Sequence, residues 1–130
     1  MKFDHQNSVP GRWLPVFLWA VVIFALSSIQ QITVAEFFLW DFAAKKVAHL
    51  GEYAVLYALI LRAIEKKWVL SFFLTMIYAM SDEIHQSFVP GRTASILDFG
   101  IDLSGANLAA YTIWKLNQIR PKLLKKLLKI

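Results

Sequence analysis

The chain has 130 residues and no cysteine, so disulfides, thiolate metal sites and cysteine nucleophiles are excluded. Charged residues are also scarce, at 18%, where soluble domains have about 25%. Hydrophobic residues make up 58% of the sequence, more than one water-covered domain normally holds. This composition argues against a soluble enzyme and indicates that part of the surface faces lipid.

Long stretches without charge predict four membrane-spanning helices. Residues 13–32 form an apolar run that is long enough for a bilayer, which needs about 20 residues. The other spans, approximately 44–62, 67–86 and 96–115, reach that length only by including ionisable groups. The alternatives are a cleaved signal peptide for the first run, and one span followed by an apolar soluble domain. We expect a single domain over residues 1–130, an all-α, polytopic membrane helical bundle with four transmembrane helices.

The distribution of basic residues supports this topology. With a cytoplasmic N-terminus, eleven basic residues lie in inside segments, and only Lys45, Lys46 and Arg92 lie outside. Both termini are then cytoplasmic. The net charge of +5 follows from this bias, and no basic cluster is interleaved with base-stacking aromatics. We therefore expect no nucleic-acid partner.

The C-terminal segment 121–130 is basic and amphipathic. Its leucines fall on one helical face and its lysines on the other, which predicts a short helix on the anionic inner leaflet. The alternative is a positive-inside anchor with no further role.

Ionisable residues from three separate predicted spans fall at similar depths. At 1.5 Å per residue, His49 lies about 20 Å and Glu52 about 15 Å from the inner interface at Arg62. Asp82 and Asp102 lie about 22 Å and 20 Å from lysines at the same interface. One such group at a helix centre costs about 2.5 kcal/mol or more, so the whole layer predicts a functional site. A paired network that only holds the helices together is the alternative.

The spacing of these residues places them on common helix faces. Residues three or four apart, or seven apart, lie on the same side of an α-helix. Three faces result: His49, Glu52 and Tyr53; Asp82, His85 and Gln86; and Ser95, Asp98, Asp102 and Gly105. We interpret Tyr53 as a core residue, and Gly105 as a position where a neighbouring helix approaches closely.

Two long strings of residues contain most of this polar layer. The first is AKKVAHLGEYAVLYALIL at 44–61, and the second is SDEIHQSFVPGRTASILDFGIDLSGANLA at 81–109. Together they resemble the VanZ-like family of small bacterial membrane proteins, over the second, third and fourth predicted spans. The resemblance implies a bacterial cytoplasmic (inner) membrane location and an association with teicoplanin resistance. By analogy, it also implies action on lipid head groups.

The polar layer predicts phosphoester chemistry. Histidine can act as acid, base or nucleophile near neutral pH, and the guanidinium fork of Arg92 fits phosphate oxygens. We expect cleavage or transfer of a lipid head-group phosphoester or phosphodiester at the extracytoplasmic face. His49 and His85 would serve as nucleophile or base and as general acid, in either order. The expected catalytic residues are His49, Glu52, Asp82, Glu83, His85, Asp98 and Asp102. The expected substrate-binding residues are Lys45, Gln86, Arg92 and Ser95.

Two other classes of function stay as alternatives. A non-enzymatic membrane protein that binds a lipid or glycopeptide would need Arg92 and tolerate the loss of either histidine. Proton-coupled transport is disfavoured because the inner half of every span is apolar. Histidines and carboxylates could bind zinc or a harder ion, but no HExxH or comparable spacing is present, so we expect no metal or other cofactor. The expected partner is a membrane lipid or a lipid-linked envelope precursor.

Overall fold

The computed structural model describes residues 9–29 and 38–121, which form four α-helices and no strand. The helices are α1 (Val9–Ser27), α2 (Phe38–Ala63), α3 (Trp68–Gln86) and α4 (Ile96–Ile119). The predicted all-α class with four helices is therefore confirmed. The predicted C-terminal amphipathic helix lies outside the described residues, apart from its first residue.

Helix α1 is displaced towards the N-terminus relative to the predicted span 13–32. It begins at Val9, so Pro15 lies inside the helix rather than at its start. Two serine side chains mark its end, since the hydroxyls of Ser27 and Ser28 both donate to the carbonyl of Phe24. Such bonds compete with the helical ladder and favour termination.

Helix α2 is the centre of the structure and packs against the other three helices, most extensively against α4. Two apolar clusters lie on different faces of it. The first combines Tyr53, Leu56, Ile60 and Ala63 with Val16 and Ile23 of α1 and Ala79 of α3. The second combines Tyr57 and Leu61 with Ala106 and Ile113 of α4. The polar residues near the beginning of α2 therefore lie among three neighbouring helices.

The α2–α4 contact is a backbone-to-backbone approach at Gly105. A Cβ atom at this position would overlap the carbonyl oxygen of Leu50 and lie 3.0 Å from its carbonyl carbon. Ala106, the next residue, is fully buried. Small residues allow such close approach, as the sequence predicts here, and Cα–H···O contacts recur at such interfaces.

Helix α1 runs antiparallel to α2 and is fixed along its length. The indole Nε1 of Trp19 donates to the carbonyl of Glu52 at 2.9 Å. At the start of α1, Arg12 donates to Glu65, which lies in the turn between α2 and α3. This hydrogen bond and the charge of the guanidinium lower the pKa of Glu65. The start of α1 and the α2–α3 turn therefore lie at the same end of the bundle.

The surface is unusually apolar, and the interior, although mainly apolar, also holds polar and charged groups. Phe17 is 65% exposed, Val69 70% and Trp114 52%, whereas Ser71 and Asp102 are fully buried. In water, exposed apolar residues are common singly, but large apolar surfaces and buried charges are not. One described helix, α1, is long and apolar enough to cross a membrane by length and composition.

Candidate functional site

A histidine of α2 and an aspartate of α4 form the centre of the polar layer. His49 Nδ1 lies 3.0 Å from Asp102 Oδ1, and Asp102 is fully buried. The close approach at Gly105, one turn further along α4, brings the two side chains together. With Asp102 ionised, the Nδ1–H of His49 donates to it, which fixes the tautomer and leaves Nε2 available for proton transfer.

A second ion pair joins α2 and α4 one turn nearer the N-terminal ends of both helices. Lys46 contacts Asp98, and each side chain keeps about a fifth of its surface exposed, 22% and 18%. Lys46 also interacts electrostatically with Glu83, Asp102 and the neighbouring Lys45, which is half-buried. The sequence predicts that polar residues of α2 and α4 lie at similar depths. In the structure, two successive side-chain contacts join these helices.

Asp82 of α3 is held by two donors. Its Oδ2 accepts hydrogen bonds from the hydroxyl of Tyr53 at 3.1 Å and from the amide of Gln86 at 2.9 Å. The sequence alone predicts only a core position for Tyr53. The structure finds it fully buried and also bonded to the site. The sequence feature that indicates a position in the site is the spacing, because Tyr53 follows His49 by four residues on the same helix face.

Glu83 ties α3 to the beginning of α4. Its Oε2 accepts a hydrogen bond from the backbone N–H of Ser95 at 2.7 Å. Ser95 is the N-cap of α4, and its hydroxyl accepts from the N–H of Asp98 at 3.4 Å. Both residues, predicted to be functional from sequence, thus contact each other and also define where α4 starts.

Arg92 is folded back towards the site by a tight turn. The N–H of Arg92 donates to the carbonyl of Val89 at 3.1 Å, and Gly91 has a φ of 78°. Pro90 followed by a positive-φ glycine is typical of a type II turn, so the interpretation of this pair as a turn is confirmed. The half-buried guanidinium interacts electrostatically with His49 and Glu52.

His85 faces a different neighbour. Its Nε2 lies 2.9 Å from the hydroxyl of Ser28, and its ring stacks on Phe24 with centroids 4.2 Å apart. Within the described ranges, the imidazole makes no hydrogen bond to His49 or Asp102. The structure therefore packs this predicted catalytic residue against Phe24 of α1.

The remaining predicted residues form one group together with Lys46 and Tyr53, and we call this group the polar cluster. Its members are Lys45, Lys46, His49, Glu52, Tyr53, Asp82, Glu83, Gln86, Arg92, Ser95, Asp98 and Asp102. Four side chains of the cluster have buried polar atoms with no hydrogen-bond partner among the described residues: Asp82 Oδ1, Glu83 Oε1, Asp102 Oδ2, and Nε and Nη1 of Arg92. Buried polar atoms are normally paired, so these atoms indicate where a ligand or water would bind. In the part of the chain that the structure describes, no three histidine, aspartate or glutamate side chains are arranged to hold a metal ion.

Removing the hydroxyl of Tyr53 tests whether it positions Asp82. We expect Tyr53→Phe to lower the free energy of unfolding by about 1.5–3 kcal/mol, because a buried carboxylate loses a donor. Tyr57→Phe is the matched control, since its hydroxyl makes only a 3.4 Å contact with a backbone carbonyl. Thermal unfolding in detergent compares the two. An equal loss in both variants would mean that the Tyr53–Asp82 bond contributes nothing specific.

Comparison with known proteins gives one match. The family model described as VanZ/LLP1 matches residues 3–118. No curated protein and no solved structure matches the chain. The matched range contains α1, α2, α3, all but the last residue of α4 and the whole polar cluster, and it confirms the resemblance found in the sequence. The chain belongs to the VanZ/LLP1 family.

Proposed function

We propose that all four helices cross the bacterial inner membrane, with the polar cluster at the extracytoplasmic side. The supporting observation is the apolar surface of the bundle. Large apolar side chains are exposed on every helix, for example Phe17, Val55, Ile77 and Leu108. Buried within the bundle, the cluster would be shielded from lipid, as ionisable groups within a membrane must be.

The ends of the helices support the orientation. Arg12, Arg62 and Lys67 lie near one end, where the start of α1 meets the α2–α3 turn. The polar cluster lies near the other end, around the start of α2 and α4 and the end of α3. Basic residues favour the cytoplasmic side, so both termini would be cytoplasmic.

Single cysteines test this topology, because the natural chain has none. We expect Thr93→Cys to react with a membrane-impermeant maleimide in cells with an intact inner membrane and an opened outer layer. Lys67→Cys should react only after permeabilisation. Both positions are exposed in the bundle. The cysteine-free chain gives the background, and labelling of both variants from one side would contradict the crossing of α3.

We infer that the polar cluster acts on a phosphoester of a lipid head group. The observation that supports this best is a pair of buried nitrogens of Arg92, near His49, that have no hydrogen-bond partner among the described residues. Such a guanidinium binds phosphate oxygens in a bidentate manner. The extracytoplasmic interface is where the head-group phosphates of a membrane lie, and the low dielectric of a buried site strengthens these interactions.

The proposed reaction is hydrolysis with one histidine moving the proton. Arg92 binds the phosphate, and His49 Nε2 takes a proton from the water whose oxygen bonds to phosphorus. The bond from phosphorus to the leaving alcohol oxygen breaks, and that oxygen receives the proton back from His49. Asp102 orients the imidazole and stabilises its charged form. An acceptor alcohol in place of water would give transfer instead.

The test is a turnover assay with purified protein in vesicles and phosphate-labelled bacterial lipids, including polyprenyl phosphates. We expect turnover, and its loss by at least about a hundredfold in His49→Ala and Arg92→Ala, as for removal of a proton-transfer group. Arg62→Ala, at the opposite end of α2, is the control for charge and should be active. A chelator arm reports any dependence on a divalent ion.

His85→Ala distinguishes the mechanisms. If His49 alone moves the proton, this variant keeps most of the activity, because the ring of His85 packs on α1 in the natural protein. A loss as large as in His49→Ala would instead support the two-histidine mechanism predicted from the sequence. No turnover of any lipid by wild-type protein would reject the enzyme proposal.

A second candidate is a non-enzymatic protein that binds a lipid or glycopeptide and contributes to teicoplanin-type antibiotic resistance. The association of the VanZ family with teicoplanin resistance favours it, and the unpartnered nitrogens of Arg92 could bind an anionic group without any reaction. Binding should then be lost in Arg92→Ala and kept in His49→Ala. Binding with that dependence, together with an absence of turnover, would favour this candidate over the enzyme.

A further inference from the structure

A groove opens beside the polar cluster, between the end of α3 and the start of α4. It encloses about 320 Å³, within the usual range for ligand pockets. Its lining is almost wholly apolar, with Met80 and Ile84 from α3 and Ile96 and Phe99 from α4. Ile96 is 91% exposed, so the groove is open to the surroundings of the bundle.

One acidic residue, Glu83, also lines this groove. Glu83 is only 7% exposed, and its Oε1 is buried with no hydrogen-bond partner in the part of the chain that the structure describes. The other oxygen, Oε2, is occupied by the N–H of Ser95. Glu83 also interacts electrostatically with Lys46 and Asp102. The groove is therefore bordered by a carboxylate of the polar cluster, and one oxygen of this carboxylate has no hydrogen-bond donor among the described residues.

The charges of the cluster are unequal. The cluster contains five carboxylates and three cations, without counting His49. The carboxylates are Glu52, Asp82, Glu83, Asp98 and Asp102, and the cations are Lys45, Lys46 and Arg92. A ligand with only a phosphate would satisfy Arg92 but increase the negative surplus. A ligand that carries a phosphate and an ammonium group would complement both.

The geometry points to a zwitterionic phospholipid of the phosphoethanolamine type as the ligand, with an acyl chain in the groove, its phosphate at Arg92 and its ammonium at Glu83. This inference rests on the proposed head-group function and names its substrate class. The ammonium supplies N–H donors and positive charge to Glu83 Oε1, and charge-assisted bonds of this kind are about twice as strong as neutral ones. The apolar lining of the groove accommodates the chain.

The test is photo-crosslinking in vesicles with three lipids that share one diazirine-bearing acyl chain. Phosphatidylethanolamine has charge and N–H donors, phosphatidylcholine has charge without donors, and phosphatidylglycerol has hydroxyl donors without positive charge. We expect adducts in the peptides of Met80, Ile84 and Ile96, about tenfold more abundant for phosphatidylethanolamine than for the other two, as for a charged hydrogen bond. Adducts spread evenly over the exposed helix faces, or equal for all three lipids, would overturn the inference.

Two variants separate the head group from the chain. Glu83→Gln can still accept from Ser95 but has no charge, so the preference for phosphatidylethanolamine should be lost while adducts remain in the groove. Ala94→Trp fills the groove from its rim and should remove the adducts of all three lipids. Leu108→Trp, on an exposed face further along α4, is the control and should change neither. An unchanged lipid preference in Glu83→Gln, or unchanged adducts in Ala94→Trp, would refute the inference.

The crosslinks do not require turnover, so the two proposals can fail separately. Groove adducts with the expected lipid preference but no turnover would reject the enzyme proposal alone. Turnover without a head-group preference or without groove adducts would reject the phosphoethanolamine ligand alone.

Discussion

We expect Gly105→Ala to lower the free energy of unfolding by about 3 kcal/mol, the upper end of the usual range for overpacking. The added Cβ would overlap the carbonyl oxygen of Leu50 and lie 3.0 Å from its carbonyl carbon and 3.1 Å from its Cα. These are backbone atoms of a helix, so no side chain can rotate away, and α4 must move from α2. Thermal unfolding in detergent measures the effect.

The same displacement should reach the polar cluster. Asp102 lies one turn before Gly105, and His49 precedes Leu50, so separation of the two backbones lengthens the His49–Asp102 contact from 3.0 Å. We therefore expect any turnover to fall with the loss of stability.

Gly100→Ala is the matched control, because it lies on the same helix and a Cβ there would meet nothing within 4 Å. Its expected effect is a gain of up to about 1 kcal/mol from helix propensity. Equal behaviour of the two alanine variants would contradict the close packing of α2 and α4.

Helical periodicity explains what the sequence could predict about the site. The sequence predicts His49 and Asp102 at similar depths and on single faces of their helices, and the structure brings them together between α2 and α4. Spacing along a helix and around it depends only on residue number, so it can be read without knowing the neighbours. The four helices follow for the same reason.

The sequence could not predict which neighbouring helix each polar side chain of α3 would contact. His85 follows Asp82 by three residues, which is about 60° short of a full turn. In a helical bundle, an angular difference of this size is enough to direct two side chains to different neighbouring helices. Asp82 therefore contacts Tyr53 of α2, while His85 contacts Phe24 of α1.

The position of Arg92 depends on the loop between α3 and α4, whose path follows from turn geometry and packing rather than from periodicity. The Pro90–Gly91 pair predicts the turn itself but not the electrostatic interaction of the guanidinium with His49 and Glu52.

The buried pair of His49 and Asp102 gives the second large effect. We expect His49→Leu to lower the free energy of unfolding by about 3–5 kcal/mol, because it leaves a fully buried carboxylate without its partner. Asp102→Leu removes the carboxylate and leaves an imidazole that can be neutral, so its cost should be smaller. The double variant should be more stable than His49→Leu alone, since replacing both members of a buried pair by apolar residues is often neutral or stabilising. Equilibrium unfolding of all four proteins gives the coupling energy.

The pair of Lys46 and Asp98 is the control for this cycle, because it joins the same two helices but each side chain keeps about a fifth of its surface exposed, 22% and 18%. Solvent reaches part of this pair and screens it, so we expect Lys46→Met and Asp98→Leu each to cost less than His49→Leu. A similar cost for both pairs would contradict the burial of Asp102. Turnover separates stability from function: the double variant of His49 and Asp102 should be folded and inactive. A double variant that is folded and active would exclude His49 as the group that moves the proton.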